Sequence, residues 1–101
     1  MKWEALISFV EEWAYDRGIL RHSTPQAQLL KAVSEMGELC DAEVKADIDE
    51  QEDAVGDVLV CLIIYCGMKG YCIHTCLETA YNEIKNRKGR MVEGGAFVKD
   101  E

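Results

Sequence analysis

The first segment of the chain has the apolar periodicity of an amphipathic helix. Its stripe recurs every three or four residues and comprises Trp3, Leu6, Ile7, Val10, Trp13 and Ala14. Residues at this spacing lie on one face of an α-helix, so the stripe predicts a first helix that ends at Gly18. Because indole rings bury a large apolar surface, we expect both tryptophans to lie in the core.

A second helix is predicted to begin at residues 23–26, where Ser-Thr-Pro-Gln supplies a capping hydroxyl, a proline for the first turn and a capping-box glutamine. The helical period continues to about Lys45. The face expected to point inward comprises Leu29, Leu30, Val33, Met36, Cys40 and Val44.

A third helix is predicted to begin at Asp49, which forms a capping-box pattern with Glu52, and to run to about Tyr65. Its later part, Val58 to Cys66, is apolar on every side, which is typical of a helix surrounded by protein. Three partner helices from so small a chain leave part of this surface uncovered. The pattern therefore predicts a homo-oligomer, either a dimer or a tetramer.

A fourth helix is predicted after Gly67 and Gly70, with Gly89 as its C-cap. Its apolar stripe comprises Ile73, Leu77, Ala80 and Ile84. Together the patterns predict an all-α protein with a four-helix bundle-like fold. We expect one domain, residues 1–101, with a short tail at residues 90–101.

The charge of the chain restricts its partners. The formal net charge is -8 at pH 7, which repels the phosphates of DNA and RNA, so we expect no nucleic-acid partner. A small polyanionic substrate is compatible with this charge if a metal cation lies between the two. The longest apolar run is far below the ~20 residues of a membrane span, so no membrane partner is expected.

The five cysteines are an odd number, and the first residues, Met-Lys-Trp-Glu, lack the apolar run of a signal peptide. Reduced thiols in a cytoplasmic protein are the preferred interpretation, with the cysteines as small core residues. Zinc binding is the alternative, but the chain has no Cys-x-x-Cys pair.

Two pairs of acids have the spacing of a metal site. Glu35 and Glu38 are three residues apart on the second helix, and Asp53 and Asp57 are four apart on the third, so each pair shares a helix face. Antiparallel packing of the two helices would let the pairs converge on one cation. Carboxylate oxygens favour Mg²⁺, with Mn²⁺ as a second possibility. The alternative is that these acids simply face water.

Two further features favour a phosphate site. Gly37 and Gly56 lie inside predicted helices at a cost of about 0.5–1 kcal/mol each relative to Ala, which close approach of the helices would explain. The fourth helix ends in a group of polar and basic residues in an otherwise acidic chain: Asn82, Lys85, Arg87, Lys88 and Arg90. Such a group suits phosphate, although cations are also favoured at any helix C-terminus.

Four segments together resemble a known family. They are residues 12–18 (Glu-Trp-Ala-Tyr-Asp-Arg-Gly), 35–39 (Glu-Met-Gly-Glu-Leu), 56–60 (Gly-Asp-Val-Leu-Val) and 81–89 (Tyr-Asn-Glu-Ile-Lys-Asn-Arg-Lys-Gly). Over most of its length the chain is similar to the small all-α nucleoside triphosphate pyrophosphatases of the MazG type, particularly the short single-domain members. The resemblance implies Mg²⁺-dependent hydrolysis of a nucleoside triphosphate to the monophosphate and pyrophosphate.

The family pattern, Glu-Glu-x-x-Glu followed by Glu-x-x-Asp, is matched in part. Ser34 and Ala54 stand at two of the Glu positions. Glu35, Glu38 and Asp57 carry over as metal ligands, and we infer Asp53 as a substitute ligand.

The residues present fit the chemistry that the resemblance implies. Glu35 or Glu38 would assist deprotonation of water, and Lys85 with Arg87 or Lys88 would offset charge on the leaving pyrophosphate. Asn82 would bind sugar or phosphate, and Trp13, if it is not a core residue, would stack on the base.

Two other functions stay open from the sequence. The missing acids at positions 34 and 54 are compatible with a catalytically weak oligomeric module that binds metal or nucleotide, or regulates a partner. A carboxylate-bridged di-iron bundle is the other candidate, but its Glu-x-x-His motifs are absent.

Overall fold

A computed structural model describes all 101 residues of the chain. Its elements are α1 (Trp3–Asp16), α2 (Ile19–His22), α3 (Pro25–Lys45), α4 (Ile48–Lys69), α5 (Ile73–Ile84), β1 (Gly89–Met91) and β2 (Phe97–Lys99). The protein is mostly helical, which confirms the all-α prediction. The short helix α2 and the antiparallel hairpin of β1 and β2 were not predicted from the sequence.

The pairing of α3 with α4 is the most extensive contact between elements, and α1, α2 and α5 each pack on α4 as well. The buried residues are few and mostly small or aliphatic: Ala14, Gln28, Ala42, Ala54, Cys61, Ile63, Ile64 and Cys66. Five of the eight belong to α4, so this helix is the centre of the fold.

The start of α3 agrees with the sequence prediction. Thr24 is the N-cap, its hydroxyl accepts a hydrogen bond from the Ala27 N–H at 3.0 Å, and Pro25 occupies the first turn. Gln26 does not form the expected capping box. Instead the side-chain amide of the buried Gln28 donates to the Ser23 hydroxyl at 3.0 Å, which ties the loop to the helix.

The limits of α4 differ from the prediction at both ends. Asp47, not Asp49, is the N-cap, and its carboxylate accepts from the Glu50 N–H at 3.2 Å. The helix continues past Tyr65 to Lys69 and ends at Gly70, whose φ of 73° is in the left-handed region. Glycine reaches this conformation without the penalty that a Cβ imposes, so Gly70 ends the helix and Gly67 lies within it.

The end of α5 was also predicted wrongly. The helix ends at Ile84 with Lys85 as its C-cap, and Gly89 begins β1 instead of capping the helix. A Cβ at Gly89 would collide with the Val98 carbonyl oxygen and the Phe97 ring of the paired strand. The glycine therefore serves the hairpin. Part of the predicted tail at residues 90–101 belongs to this hairpin.

The face of α3 that packs on α4 is not the apolar face that the sequence predicted to point inward. The residues expected to point inward, Leu29, Leu30, Val33, Met36, Cys40 and Val44, are all exposed, and Val44 reaches 87%. The face that packs on α4 instead contains Gln28, Ala32, Glu35, Leu39 and Ala42. Small residues allow the two helices to approach closely, and this leaves the larger apolar side chains without a partner in the chain.

The apolar part of α4 is only partly covered by the rest of the chain. Cys61, Ile63, Ile64 and Cys66 are buried, whereas Leu59 is 36% exposed, and the other four residues are half-buried: Val58, Val60, Leu62 and Tyr65. A larger uncovered apolar surface lies on α3 and on α5, where Leu77, Tyr81 and Ile84 are all more than half exposed.

The chain is extended for its length. Its radius of gyration is 16.3 Å and its extents are 46 × 35 × 29 Å, whereas a compact domain of about 100 residues has a radius near 13 Å. No single helix is long and apolar enough to cross a membrane, and α4 with α5 reaches that length only as a pair bent by 103°.

The cysteines are core residues only in part. All five are free thiols; Cys61 and Cys66 are buried, while Cys40, Cys72 and Cys76 are exposed. The expectation that all five fill the core is therefore wrong for three of them.

The Asp47 cap can be tested by substitution. Asp47→Ala should lower the free energy of unfolding by about 1 kcal/mol, because the first-turn N–H groups lose their acceptor. The Asp47→Asn variant should keep most of the wild-type free energy of unfolding. Glu52→Ala, which would break the capping box predicted from the sequence, should cost less than about 0.5 kcal/mol. Urea titration of the three variants measures this, and a larger loss in Glu52→Ala than in Asp47→Ala would contradict the assignment.

Candidate metal centre

The predicted acidic residues lie along the contact between α3 and α4. Glu35 lies on the face of α3 that packs on α4, and its side chain is only 14% exposed. Asp57 is partly buried on α4, and Glu38 and Asp53 are exposed one turn from these two acids. The antiparallel turn between the helices places both pairs at one seam.

Glu38 and Glu35 interact directly. The pKa of Glu38 is raised, first by a side-chain hydrogen bond with Glu35 that the two carboxyl groups share when one is protonated, and next by the negative charge of Glu35. Burial, Glu50 and Asp57 raise it further. Like charges held close favour the protonated acid, so these carboxylates crowd one another at neutral pH.

Asp57 is subject to the same crowding. Burial against the helices raises the pKa of Asp57 first, followed by the charges of Asp53 and Glu35 and by a side-chain hydrogen bond with Asp53. Lys31 lowers it, and its ammonium lies 3.5 Å from the Glu35 carboxylate. Glu35, Glu38 and Asp57 therefore interact across the seam, whereas Asp53 acts on Asp57 within α4.

Two residues near this cluster were missed in the sequence. Glu50 lies on the first turns of α4 and, with Glu38, Asp41 and Asp47, lines an open cleft of about 280 Å³. Lys31 precedes Glu35 by one helical turn. The sequence shows that Lys31 is four residues before Glu35 and that Glu50 is seven residues before Asp57, so each pair shares a helix face. These spacings point to the acidic cluster only when the face of α3 that packs on α4 is known.

The side chains do not form a finished ligand shell. No three Asp, Glu, His or Cys groups converge in the geometry that holds a metal ion. The donor set is nevertheless all oxygen and anionic, which is the chemistry that Mg²⁺ and Mn²⁺ prefer.

The basic residues of the fourth predicted helix are not brought to the acids. Asn82 is on α5, Lys85 is its C-cap, and Arg87 and Lys88 follow in the turn before β1; all four are exposed. Among the helices, α5 contacts only α4. The ion pairs of the chain are Lys31–Glu35 and His74–Glu78, so none of these basic side chains pairs with an acid.

Both tryptophans are more exposed than predicted. Trp13 is 44% exposed, and the Arg17 guanidinium lies 5.5 Å from its ring centroid. Trp3 is similarly exposed. The prediction that both are core residues is wrong for the single chain, because α1 packs on α4 chiefly through Ala14 and its partly buried neighbours.

Trp13 lines a mostly apolar cavity of about 350 Å³ that also reaches Asp57. Its walls are Leu6, Phe9, Val10, Trp13, Asp57 and Val60. A cavity of this size with one charged group at its edge is typical of sites for small ligands. It lies directly beside the acidic seam.

The helix glycines are not explained within one chain. A Cβ at Gly37 or Gly56 would meet no atom within 4 Å, so the expected close approach of helices at these positions does not occur in a single copy. Gly37 lies on the exposed apolar stripe of α3, between Met36 and Cys40.

Comparison with known proteins adds a phage relative. A protein of Haemophilus phage HP1, described as an uncharacterized 18.2 kDa protein in the rep-hol intergenic region, is 41% identical over 61 residues. The match covers 60% of this chain and 37% of that protein, so the chain spans little more than a third of the relative's length. No family model and no solved structure matches significantly. The relative's description names no activity.

The crowding of Glu38 predicts an effect of charge on stability. Its pKa is raised in the folded state, so the ionised form opposes folding at pH 7, and this opposition fades as the pH falls through the folded pKa. Glu38→Gln should therefore raise the melting temperature in metal-free buffer at pH 7, and the gain should shrink on acidification. The control is Glu43→Gln, which removes the same charge from α3 outside the cluster. An equal gain in both variants would contradict the account.

Proposed function

We propose that the protein is a Mg²⁺-dependent nucleoside triphosphate pyrophosphatase of the MazG type, which hydrolyses ribo- or deoxyribonucleoside triphosphates to the monophosphate and pyrophosphate. The observation that carries the proposal is the seam where Glu35, Glu38 and Asp57 crowd one another. Crowded carboxylates are stabilised by a shared cation. The adjoining cavity offers room for a base beside them.

The metal ligands in this proposal are Glu35, Glu38 and Asp57, with Asp53 as the replacement for the acid absent at position 54. The contact between Asp53 and Asp57 supports that replacement. Mn²⁺ is expected to substitute for Mg²⁺, since both take carboxylate oxygens. When bound, the ion would neutralise phosphate charge and lower the pKa of water.

The residues of the chain would then carry out an in-line hydrolysis. The water oxygen forms a bond to the α-phosphorus, the bond from that phosphorus to the bridging oxygen breaks, and the water proton passes to Glu38 or Glu35. Pyrophosphate leaves with the electron pair of the broken bond. Lys85 with Arg87 or Lys88 offsets its charge, and Asn82 donates a hydrogen bond to sugar or phosphate.

The base would occupy the apolar cavity at Trp13. The half-exposed indole presents a flat surface there, and Phe9 and Val60 provide further apolar contact. Asp57 at the cavity edge links this subsite to the metal ligands. Stacking of a base on an aromatic ring contributes about 1–3 kcal/mol, which is enough to orient the substrate.

The working form in this proposal is a homo-oligomer with a bundle-like core shared between copies. Its support is the uncovered stripe of α3, with Gly37 in its middle, and the exposed apolar side chains of α5. A helix from a second copy can approach closely at a glycine. The proposal requires that the association also bring the basic end of α5 toward the acids of another copy, because one chain does not place them together.

The association can be tested on the α3 stripe. Leu30→Glu introduces a charge where we expect a dry contact, and it should convert the dimer or tetramer to a monomer at micromolar concentration. Gln26→Glu adds the same charge to α3 outside the stripe and should leave the assembly intact. Light scattering measures both. A wild-type monomer at these concentrations would remove this part of the proposal.

Catalysis can be tested on the acids. Pyrophosphate release should require added Mg²⁺ or Mn²⁺ and should fall at least about a hundredfold in Glu38→Gln, because a metal ligand or base is lost. Glu43→Gln should keep wild-type activity. A panel of nucleoside triphosphates assayed with metal omitted and restored measures this. Equal activity in Glu38→Gln and Glu43→Gln would contradict the proposed catalysis.

A second candidate is an oligomeric module that binds metal or nucleotide without effective turnover. It is favoured by Ala54, which is fully buried at the α3–α4 seam and offers no oxygen where the family has a carboxylate. Stabilisation by Mg²⁺ with a non-hydrolysable nucleotide, without pyrophosphate release, would select this candidate.

A further inference from the structure

A second cavity adjoins the apolar one at Trp13. Its volume is about 310 Å³, and Trp13 and Val60 line both cavities. Its other walls combine apolar residues such as Ile64 with polar ones, among them Gln28 and Lys31. It therefore offers hydrogen-bonding groups beside an aromatic ring, which is the combination that orients small ligands in protein sites.

The second cavity also lies beside the acidic seam. Lys31 is in its wall, and the Lys31 ammonium lies 3.5 Å from the Glu35 carboxylate. In the adjoining apolar cavity Asp57, a proposed metal ligand, is the one charged side chain, and no amide or hydroxyl side chain is present. A base held against Trp13 would therefore find an amide to recognise its edge only in the second cavity.

Gln28 uses only part of its side-chain amide. The residue is 6% exposed, and its Nε2 donates to the Ser23 hydroxyl at 3.0 Å. Its Oε1 accepts no hydrogen bond, yet no buried side-chain nitrogen or oxygen of the chain lacks a partner. The oxygen must therefore keep some accessible surface, and the space open to it is the cavity that Gln28 lines.

The tie to Ser23 does not account for this oxygen. Holding the loop requires a hydrogen-bond donor, which the amide nitrogen of Gln28 supplies, whereas the oxygen takes no part. An amide oxygen that has lost most of its water without gaining a partner is unfavourable, and a ligand N–H in the cavity would remove that cost. The unused oxygen is thus the feature of Gln28 that points to a ligand.

We propose that Gln28 is a specificity-determining residue whose Oε1 accepts a hydrogen bond from an N–H group at the edge of the nucleobase. The rings of the base would stack on Trp13, and its edge would enter the second cavity. The choice of a nucleobase rests on the proposed function; the cavity itself suits a flat ligand with a hydrogen-bond donor at one edge. Cytosine and adenine present an amino group there, and uracil, thymine and guanine present a ring N–H.

Fluorescence of Trp13 provides a test that needs neither metal nor turnover. In a Trp3→Phe background Trp13 is the one tryptophan left. Its emission, excited at the red edge of the indole band where nucleosides do not absorb, should be quenched by added nucleosides. Cytidine should bind about three- to tenfold more tightly than cytidine dimethylated on its amino nitrogen, because the methyl groups remove the N–H that Gln28 accepts. Uridine should exceed uridine methylated on its ring N–H by a similar factor. No quenching, or equal binding within each pair, would overturn the proposal.

Variants in the same background assign this preference to the carbonyl oxygen. Gln28→Met keeps the length of the side chain but removes both polar atoms, so it should abolish the preference for the unmethylated nucleosides. Ser23→Ala removes the same loop tie while keeping the amide, and it should retain the preference. Gln26→Met, at an exposed position of α3, should match the parent. An undiminished preference in Gln28→Met, or an equal loss in Ser23→Ala, would reject the role of the oxygen.

The outcomes separate this inference from the proposed hydrolysis. Nucleoside binding that depends on Gln28, without pyrophosphate release from nucleoside triphosphates, would keep the recognition role and reject the hydrolysis. Pyrophosphate release, with no effect of methylation on nucleoside binding, would keep the hydrolysis and overturn the role of Gln28.

Discussion

The face on which α3 packs against α4 determines the rest of the structure. The two helices meet through small residues, Ala42 and Ala54, with the carboxylates of Glu35 and Asp57 at the same seam. This packing holds negative charges together, which opposes folding at neutral pH until a proton or a cation neutralises them. In the proposed function a divalent cation supplies this neutralisation.

The same seam explains why apolar side chains of α3 remain exposed to solvent. Because α3 uses its small and acidic face against α4, its apolar stripe points to solvent, and α5 departs from α4 with its own apolar side chains exposed. Large contiguous apolar surfaces on a small chain usually mark interaction sites. The extended shape of the single chain and the open space at Gly37 are further features on which the proposed homo-oligomer rests.

The sequence predicted the helices and the start of α3 better than it predicted which face of a helix packs against its neighbour. Thr24 and Pro25 correctly marked the start of α3, and the helical periods found four of the five helices. Periodicity identifies an apolar stripe but not its partner, so the stripe of α3 was assigned to the wrong side. Asp47 and Asp49 both resemble caps, and only backbone geometry selects Asp47. The acids at positions 35, 38, 53 and 57 were predicted to converge on one cation. They lie along one seam, but no three of them converge as metal ligands. The separation of Asn82 and Lys85 from the acids depends on the direction of α5, which local sequence does not encode.

The central claim is that the acidic seam binds a divalent cation, and Mn²⁺ binding followed by electron paramagnetic resonance tests it most directly. The free-ion signal should fall as protein is added, with saturation at a fixed ratio of metal to chain, and Mg²⁺ should compete for the site. Asp57→Asn should lose this binding, because it removes a carboxylate from the seam, while Glu43→Gln should keep it. An unchanged free-ion signal with the wild-type protein, or equal binding by Asp57→Asn, would contradict the account.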